Sequence, residues 1–139
     1  MIINKLERII KYNFNNVNLL KEALIHSSYS SRSCKKNKKN YERLEFLGDR
    51  VLGLVLAEYV FHVFPEANEG LLNSYYQKYV SQEYLLNYSK KIHLSNFIKT
   101  QKGDNLEDNK SILSDVVESI IGAIYLDSGL TDCKEFIIN

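Results

Sequence analysis

Two pairs of acidic residues stand inside strongly apolar stretches of this 139-residue chain. Glu45 and Asp49 are four residues apart in the first stretch, and Asp115 and Glu118 are three apart in the second. On a helix, either spacing places both side chains on one face. A buried carboxylate must be protonated or matched by a cation. The spacing therefore predicts two helices that each need a counter-charge.

A divalent metal ion is the natural counter-charge, because no matching set of basic residues lies in either stretch. Arg43 and Arg50 are the only nearby basic residues that could pair with the carboxylates. If the two helices packed side by side, the four carboxylates would converge on one small volume. Ligands that are all oxygen atoms favour Mg²⁺ or Mn²⁺ over zinc. Such a site suits phosphodiester hydrolysis, since a metal ion lowers the pKa of a bound water and neutralises charge on the phosphate.

Both acidic stretches have the composition of central helices. The segment from Tyr41 to His62 contains no proline, and its core from Leu44 to Ala57 is apolar around almost the whole circumference. Between Ser111 and Asp127, the residues other than Asp115 and Glu118 are Ile, Leu, Val, Ala, Gly, Ser and Tyr. One proline and six glycines in the whole chain favour helices over tight turns. The predicted fold is all-α, a helical bundle around two buried acidic helices.

Shorter helices are predicted from apolar spacing and capping residues. They run from Ile3 to Tyr12, from Leu19 to about Ser27 with His26 closing the helix, from Leu71 to about Val80, from Gln82 to Ile92 after a Ser81 cap, and onward from a Thr131 cap. The polar stretch from Lys99 to Lys110 is predicted to be a loop. Length and composition fit one domain spanning residues 1–139.

Positive charge is concentrated in one segment, although the formal net charge of the chain is only +1. Charge balance alone therefore does not indicate a nucleic acid partner. The segment from Tyr29 to Asn40 has no acidic residue and five basic ones, Arg32, Lys35, Lys36, Lys38 and Lys39. It is either a solvated loop or a loop that contacts phosphates in front of the first acidic helix, and both can hold.

Several other classes of protein fit the sequence poorly. Cys34 and Cys133 lack the spacing of metal ligands, which favours reduced residues in a cytoplasmic protein. No apolar run is long enough to span a membrane, and no organic cofactor is expected. The glutamate–histidine pairs are four residues apart, whereas helical di-iron carboxylate sites use a spacing of three.

The residues around the acidic pairs resemble the ribonuclease III family. Glu42-Arg-Leu-Glu-Phe-Leu-Gly-Asp49, followed by Arg50-Val-Leu, is similar to its signature helix, and Ser111-Ile-Leu-Ser-Asp-Val-Val-Glu118 is similar to its second acidic motif. Further landmarks follow the family order: His26-Ser-Ser-Tyr29, Glu69-Gly70 and Ile121 to Gly129. The resemblance spans nearly the whole chain. It implies a metal-dependent endoribonuclease that cuts double-stranded RNA and leaves 5′-phosphate and 3′-hydroxyl ends.

The resemblance also implies roles for individual residues. Glu45, Asp115 and Glu118 would be metal ligands. Asp49 and Glu118 would be catalytic, with Asp49 bound to the metal directly or through water and helping to orient the attacking water. Glu42 and Glu69 would support the site from behind the ligands or through salt bridges.

A homodimer with one cleft for duplex RNA is a further implication of the resemblance. The aromatic residue that matches Phe46 would insert into the partner subunit, although Phe46 could instead belong to its own chain's core. We expect the catalytic domain alone, without the double-stranded-RNA-binding domain that usually follows, and hence weak, salt-sensitive RNA binding. A second hypothesis is a non-catalytic RNA-binding or scaffold module. Degenerate forms of that kind lose acidic residues, whereas all four are present here.

Overall fold

A computed structural model of the chain describes residues 2–26, 40–100 and 109–138. Seven α-helices and one short 3₁₀ helix lie within these ranges. They are α1 (Ile2–Ile10), α2 (Val17–Ala23), α3 (Tyr41–Val63), α4 (Glu69–Tyr79), α5 (Gln82–Lys91), the 3₁₀ helix Leu94–Phe97, α6 (Lys110–Ser128) and α7 (Leu130–Ile138). The two acidic helices, α3 and α6, begin and end within one residue of their predicted bounds.

The all-α prediction is confirmed, and α6 lies at the centre of the bundle. Its most extensive contact is with α3, and it also packs against α2, α5 and α7. Val116, Ile120 and Ile124 on α6 are completely buried. Apart from one bridge between Ile25 and Lys99, the described ranges contain no β-structure. None of their helices combines the length and hydropathy needed to cross a membrane.

Helix α3 differs from its prediction, because it is buried along one side only. Leu44 and Val55 lie in the core, with 3% and 2% of their surface exposed. On the outer side, Phe46, Leu54 and Phe61 are 63%, 57% and 63% exposed. The expectation of burial all round is therefore wrong for α3. The helix carries two apolar faces, and the rest of its own chain covers one of them.

Asparagine side chains begin both acidic helices. The Asn40 side chain accepts a hydrogen bond from the backbone N–H of Glu42 at 2.9 Å, and the Asn109 side chain accepts one from the backbone N–H of Ile112 at 3.1 Å. Each satisfies an N–H group that has no partner within its helix. The predicted Thr131 cap is wrong, because α7 begins one residue earlier, at Leu130.

The chain leaves α2 earlier than predicted, at Ala23, and His26 lies outside the helix. The backbone N–H of His26 donates to the carbonyl of Lys99 at 2.9 Å, and the N–H of Lys99 donates to Leu24 at 2.8 Å. The N–H of Tyr41 donates to the carbonyl of Ile25 at 2.9 Å. This pairing holds the end of α2 against the start of α3, and so brings His26 beside the first acidic helix.

Candidate functional site

The four acidic residues singled out in the sequence line one surface pocket between α3 and α6. Its lining comprises Tyr41, Glu42, Glu45, Phe46, Asp49, Arg50, Asp115 and Glu118. Glu42 therefore lies where a supporting residue is expected. Glu69 does not belong to this lining. It is an exposed residue in the first turn of α4. The predicted RNA-binding residues Arg32, Lys35, Lys36, Lys38 and Lys39 lie outside the described residues.

The acidic side chains form two pairs, each with one member on α3 and one on α6. Glu45 lies beside Asp115, and Glu118 lies beside Asp49, so a carboxyl that keeps its proton can donate a hydrogen bond to its partner. Residues one helical turn apart on α3 thus meet residues about one turn apart on α6. Each pair places two groups of like charge in contact, so sharing a proton is how the pair avoids repulsion.

Burial and mutual repulsion raise the pKa values of this cluster. Glu118 has a pKa of about 8 because burial disfavours its charged form and the charges of Asp49, Asp115 and Glu45 add to the effect. The pKa of Glu45 is raised to about 7 by burial and by the charges of Asp115, Glu42 and Asp49. At neutral pH the pocket therefore retains protons that a bound cation could displace.

Asp115 also has a raised pKa, with burial as the largest cause. Three neighbours oppose the rise: the Ser111 hydroxyl, which donates to Asp115 Oδ2 at 3.2 Å, the hydrogen bond from Glu45, and the charge of His26. Asp115 is therefore the acceptor in its pair with Glu45. Its neighbours favour the charged form, which is the form that binds metal ions.

Arg50 supplies the positive charge at the mouth of the pocket. Its Nη1 atom lies 3.2 Å from Asp49 Oδ2, and its guanidinium lies 4.1 Å from the centre of the Phe46 ring. The Arg50 and Asp49 side chains are 63% and 56% exposed, so this ion pair contributes at most about 1 kcal/mol to stability. Among the described residues that line the pocket, Arg50 is the one basic side chain. Its single positive charge does not neutralise the whole cluster of carboxylates.

Sequence reasoning assigned no function to two aromatic neighbours of this cluster, Tyr41 and His26. The Tyr41 ring lines the pocket and stacks on the His26 imidazole, with ring centres 5.3 Å apart. Burial, followed by the charges of Glu45 and Asp115, raises the Tyr41 pKa to about 12, so its hydroxyl keeps its proton. Both lie at recognisable points of the sequence: His26 opens the His-Ser-Ser-Tyr landmark, and Tyr41 directly precedes Glu42.

The chemistry of the pocket fits a hard divalent cation. Its acidic side chains offer oxygen atoms only, the atoms that Mg²⁺ and Mn²⁺ prefer. Within the described ranges, no group of three or more His, Cys, Asp or Glu side chains already has the arrangement of a metal cluster. Instead, the carboxyls lie in two pairs, and in each pair burial and neighbouring charges raise the pKa of a glutamate. Glu45, Asp49, Asp115 and Glu118 are the residues that could hold such an ion once those protons leave.

Comparison with known proteins identifies the family. A family model described as ribonuclease-III-like matches residues 16–139. The chain belongs to the ribonuclease III family. The four carboxylates of the pocket all lie within the matched range.

Curated members of the ribonuclease III family are similar to nearly the whole chain. Ribonuclease 3 from Ehrlichia ruminantium (strain Welgevonden) is 44% identical over 140 residues, which cover 99% of this chain and 61% of that protein. Ribonuclease 3 from Borreliella burgdorferi is 38% identical over 139 residues, which cover 98% of this chain and 56% of that protein. The chain therefore spans about three fifths of the length of these curated relatives.

A solved ribonuclease III domain has the same fold. The nuclease domain of ribonuclease III from Campylobacter jejuni, which has a flexible region involved in dimer formation, superposes with a TM-score of 0.89 at 39% identity. The match covers 98% of this chain and 93% of that domain. In the present structure Phe46 is 63% exposed, so it does not belong to its own chain's core. Its insertion into a partner subunit stays a prediction.

Proposed function

We propose that this chain is the catalytic domain of a metal-dependent endoribonuclease. Its proposed reaction is hydrolysis of phosphodiester bonds in double-stranded RNA, which leaves 5′-phosphate and 3′-hydroxyl ends. The observation that carries the proposal is the gathering of four carboxylates, drawn from α3 and α6, in one open pocket of a ribonuclease III chain. The names of the curated relatives and of the Campylobacter jejuni nuclease domain support it.

In the proposed site, Glu45, Asp115 and Glu118 hold Mg²⁺, for which Mn²⁺ can substitute. A bound ion of this kind would supply an activated water and neutralise charge on the phosphate. The carboxylates must first release the protons they share, and the exposed mouth of the pocket gives those protons a path to solvent. Asp49 is exposed, whereas the other three carboxylates are half-buried, and its proposed role is to hold and orient a water molecule at the mouth.

Two residues receive supporting roles of unequal strength. The charge of Glu42 acts on Glu45 and helps to raise its pKa, and Glu42 lines the same pocket. Its proposed role is to increase the negative charge that attracts the cation. The supporting role proposed for Glu69 rests on the Glu69-Gly70 landmark alone, because the structure places its side chain outside the pocket lining.

The proposed assembly is a homodimer that binds duplex RNA. The outer face of α3 exposes Phe46, Leu54 and Phe61, and large apolar side chains grouped in this way favour contact with a partner surface. A two-fold dimer through α3 would bring two acidic pockets to one cleft. Contacts from Arg32, Lys35, Lys36, Lys38 and Lys39 to RNA phosphates are part of the same proposal. So is a cytoplasmic location, supported by the free, buried thiol of Cys133.

A cleavage assay on a plain RNA duplex tests the reaction. We expect cutting with Mg²⁺ or Mn²⁺, no cutting with a chelator, and products that carry a 5′-phosphate. Ca²⁺ in place of Mg²⁺ tests whether cutting depends on the geometry of the bound ion, since Ca²⁺ prefers longer bonds and a more flexible geometry. Binding of the duplex without any metal-dependent cutting would contradict the proposal and favour the non-catalytic RNA-binding module.

Glu118→Gln tests the assignment of the site. The variant keeps the shape of the side chain but removes a ligand charge, so we expect duplex binding to persist while cleavage falls by at least 100-fold. Glu66→Gln makes the same chemical change at an exposed residue outside the pocket lining and should leave the cleavage rate within twofold of the parent. Undiminished cleavage by Glu118→Gln would refute the assignment.

A further inference from the structure

Helices α3 and α6 touch backbone to backbone at two glycines. A Cβ atom added to Gly48 would lie 1.7 Å from the carbonyl oxygen of Glu118 and 2.9 Å from the nitrogen of Gly122. A Cβ atom added to Gly122 would lie 2.2 Å from the carbonyl oxygen of Leu44. The clashing atoms belong to the backbone, so a side-chain rotation cannot relieve them. Only glycine permits this separation of the two helices.

The contact lies at the acidic pocket itself. The backbone atom facing Gly48 belongs to Glu118, one of the four acidic residues, and the atom facing Gly122 belongs to Leu44, which directly precedes Glu45. Gly48 in turn directly precedes Asp49. Any change in the distance between the helices at this point therefore changes the distance between Glu45 and Asp49 on one side and Asp115 and Glu118 on the other.

We propose that Gly48 and Gly122 are positioning residues that set the spacing between the two acidic pairs, and thereby the affinity of the pocket for Mg²⁺ or Mn²⁺. The inference rests on the proposed function. Ordinary contact begins at 3.4 Å, so alanine at position 122 requires a local displacement of about 1 Å, and alanine at position 48 a larger one. Mg²⁺ demands ligands at about 2.0–2.1 Å in near-ideal octahedral geometry. A displacement of that size removes ligands from its reach.

Gly53 provides a matched control on the same helix. A Cβ atom added there would lie 2.8 Å from the hydroxyl oxygen of Tyr76, which is the far end of a side chain that can move. Gly53→Ala therefore makes the same chemical change and gives the same gain in helix propensity without separating α3 from α6. Val55→Ala, at a residue only 2% exposed, serves as a second control that destabilises the core by removing volume.

The experiment measures Mn²⁺ binding to the whole chain by electron paramagnetic resonance, without RNA. Gly48→Ala and Gly122→Ala are made separately, and folding is checked by circular dichroism, with trimethylamine N-oxide added where a variant is unfolded. We expect at least tenfold weaker Mn²⁺ binding in both variants. Gly53→Ala and Val55→Ala should bind within twofold of the parent. The loss should be smaller for Ca²⁺, measured by competition, because Ca²⁺ accepts longer bonds.

The outcomes separate this inference from the proposed function. Parent-like Mn²⁺ binding by either folded glycine variant would overturn the inference and leave the proposed function intact. Equal losses in Val55→Ala and the glycine variants would overturn it as well, since stability alone would then explain the effect. Failure of both glycine variants to fold in the osmolyte would show that the contact serves the fold as a whole, against the inference. A parent that binds no Mn²⁺ would overturn the proposed function and the inference together.

Discussion

Replacement of Glu118 by glutamine should make the metal-free protein more stable at high pH. The reason is the pKa of about 8 that burial and neighbouring carboxylates impose on Glu118 in the folded protein. At pH 8 much of that carboxyl is ionised against Asp49, Asp115 and Glu45. The glutamine amide carries no charge and can still donate a hydrogen bond to Asp49. The variant therefore removes repulsion while it keeps the contact.

The direction with pH follows from proton linkage. A carboxyl with a pKa of 4.5 in the unfolded chain and about 8 in the folded protein binds more protons when folded between these values. Its stabilising contribution is complete below pH 4.5 and is lost as the pH rises to about 8. The full difference corresponds to at most about 5 kcal/mol. Because Glu118 is partly exposed, solvent screening reduces the expected cost to roughly 2 kcal/mol at pH 8.

Urea unfolding with a chelator present, at pH 5 and at pH 8, measures this effect. With an unfolding slope of about 1–3 kcal/mol per molar urea, Glu118→Gln should raise the midpoint by about 1 M at pH 8. It should change the midpoint little at pH 5, where the parent carboxyl is already protonated. Addition of Mg²⁺ at pH 8 should stabilise the parent more than the variant. Equal shifts at both pH values, or a lower midpoint at pH 8, would refute this account of the cluster.

Two further predictions concern residues around the pocket and at the far end of α6. Glu42→Gln should raise the Mg²⁺ concentration that gives half-maximal cleavage several-fold, whereas Glu69→Gln, outside the pocket lining, should raise it less. A titration of cleavage with Mg²⁺ compares the two variants. Equal effects would contradict the stronger supporting role of Glu42. Asp127→Ala should lower the free energy of unfolding by about 2–4 kcal/mol, because its carboxylate accepts hydrogen bonds from the Tyr12 hydroxyl at 2.6 Å and from the backbone N–H groups of Asn15 and Asn16 at 2.8 Å. Urea unfolding checks this loss, and parent-like stability would show that water replaces the carboxylate.

Helical periodicity predicted the bounds of both acidic helices closely, and on α6 the apolar residues do follow the core. Helix α6 is buried from Ile112 to Ile124 apart from the half-buried Asp115 and Glu118, and the other residues of that stretch are apolar or small. For α3, the predicted bounds were right, but the predicted burial around the whole helix was wrong. Composition shows that Leu54 and Phe61 are apolar, yet it does not show whether their own chain or a partner covers them.

The misplaced helix ends have a different cause, which is pairing between distant segments. The sequence extends α2 to Ser27, but the backbone near His26 pairs with Lys99 instead. Local periodicity carries no information about such a contact. The 3₁₀ helix Leu94–Phe97 was missed because an unusual backbone conformation precedes it. It follows His93, whose φ of 54° is a left-handed conformation that a histidine only occasionally adopts.

The convergence of the acidic pairs was predictable only in part. Spacing of three and four residues fixes which residues share a helix face, and so it pairs Glu45 with Asp49 and Asp115 with Glu118. It does not fix how the two helices cross. In the structure the neighbouring carboxyls come from different helices, Glu45 beside Asp115 and Glu118 beside Asp49. That arrangement depends on the distance between the helices, which side-chain periodicity cannot supply.

The position of the cluster explains how a carboxylate site can coexist with an apolar core. Val116 and Val117 are buried, whereas Asp115 and Glu118 on the same helix remain partly exposed because they face the open groove beside α3. Burial in this groove is deep enough to raise carboxyl pKa values, yet shallow enough for protons, a cation and a phosphate to reach the oxygen atoms. Deeper burial would keep the acids neutral, and full exposure would remove the repulsion that a bound cation would relieve. The groove between α3 and α6 is therefore the place where these helices can carry charge at a tolerable cost in stability.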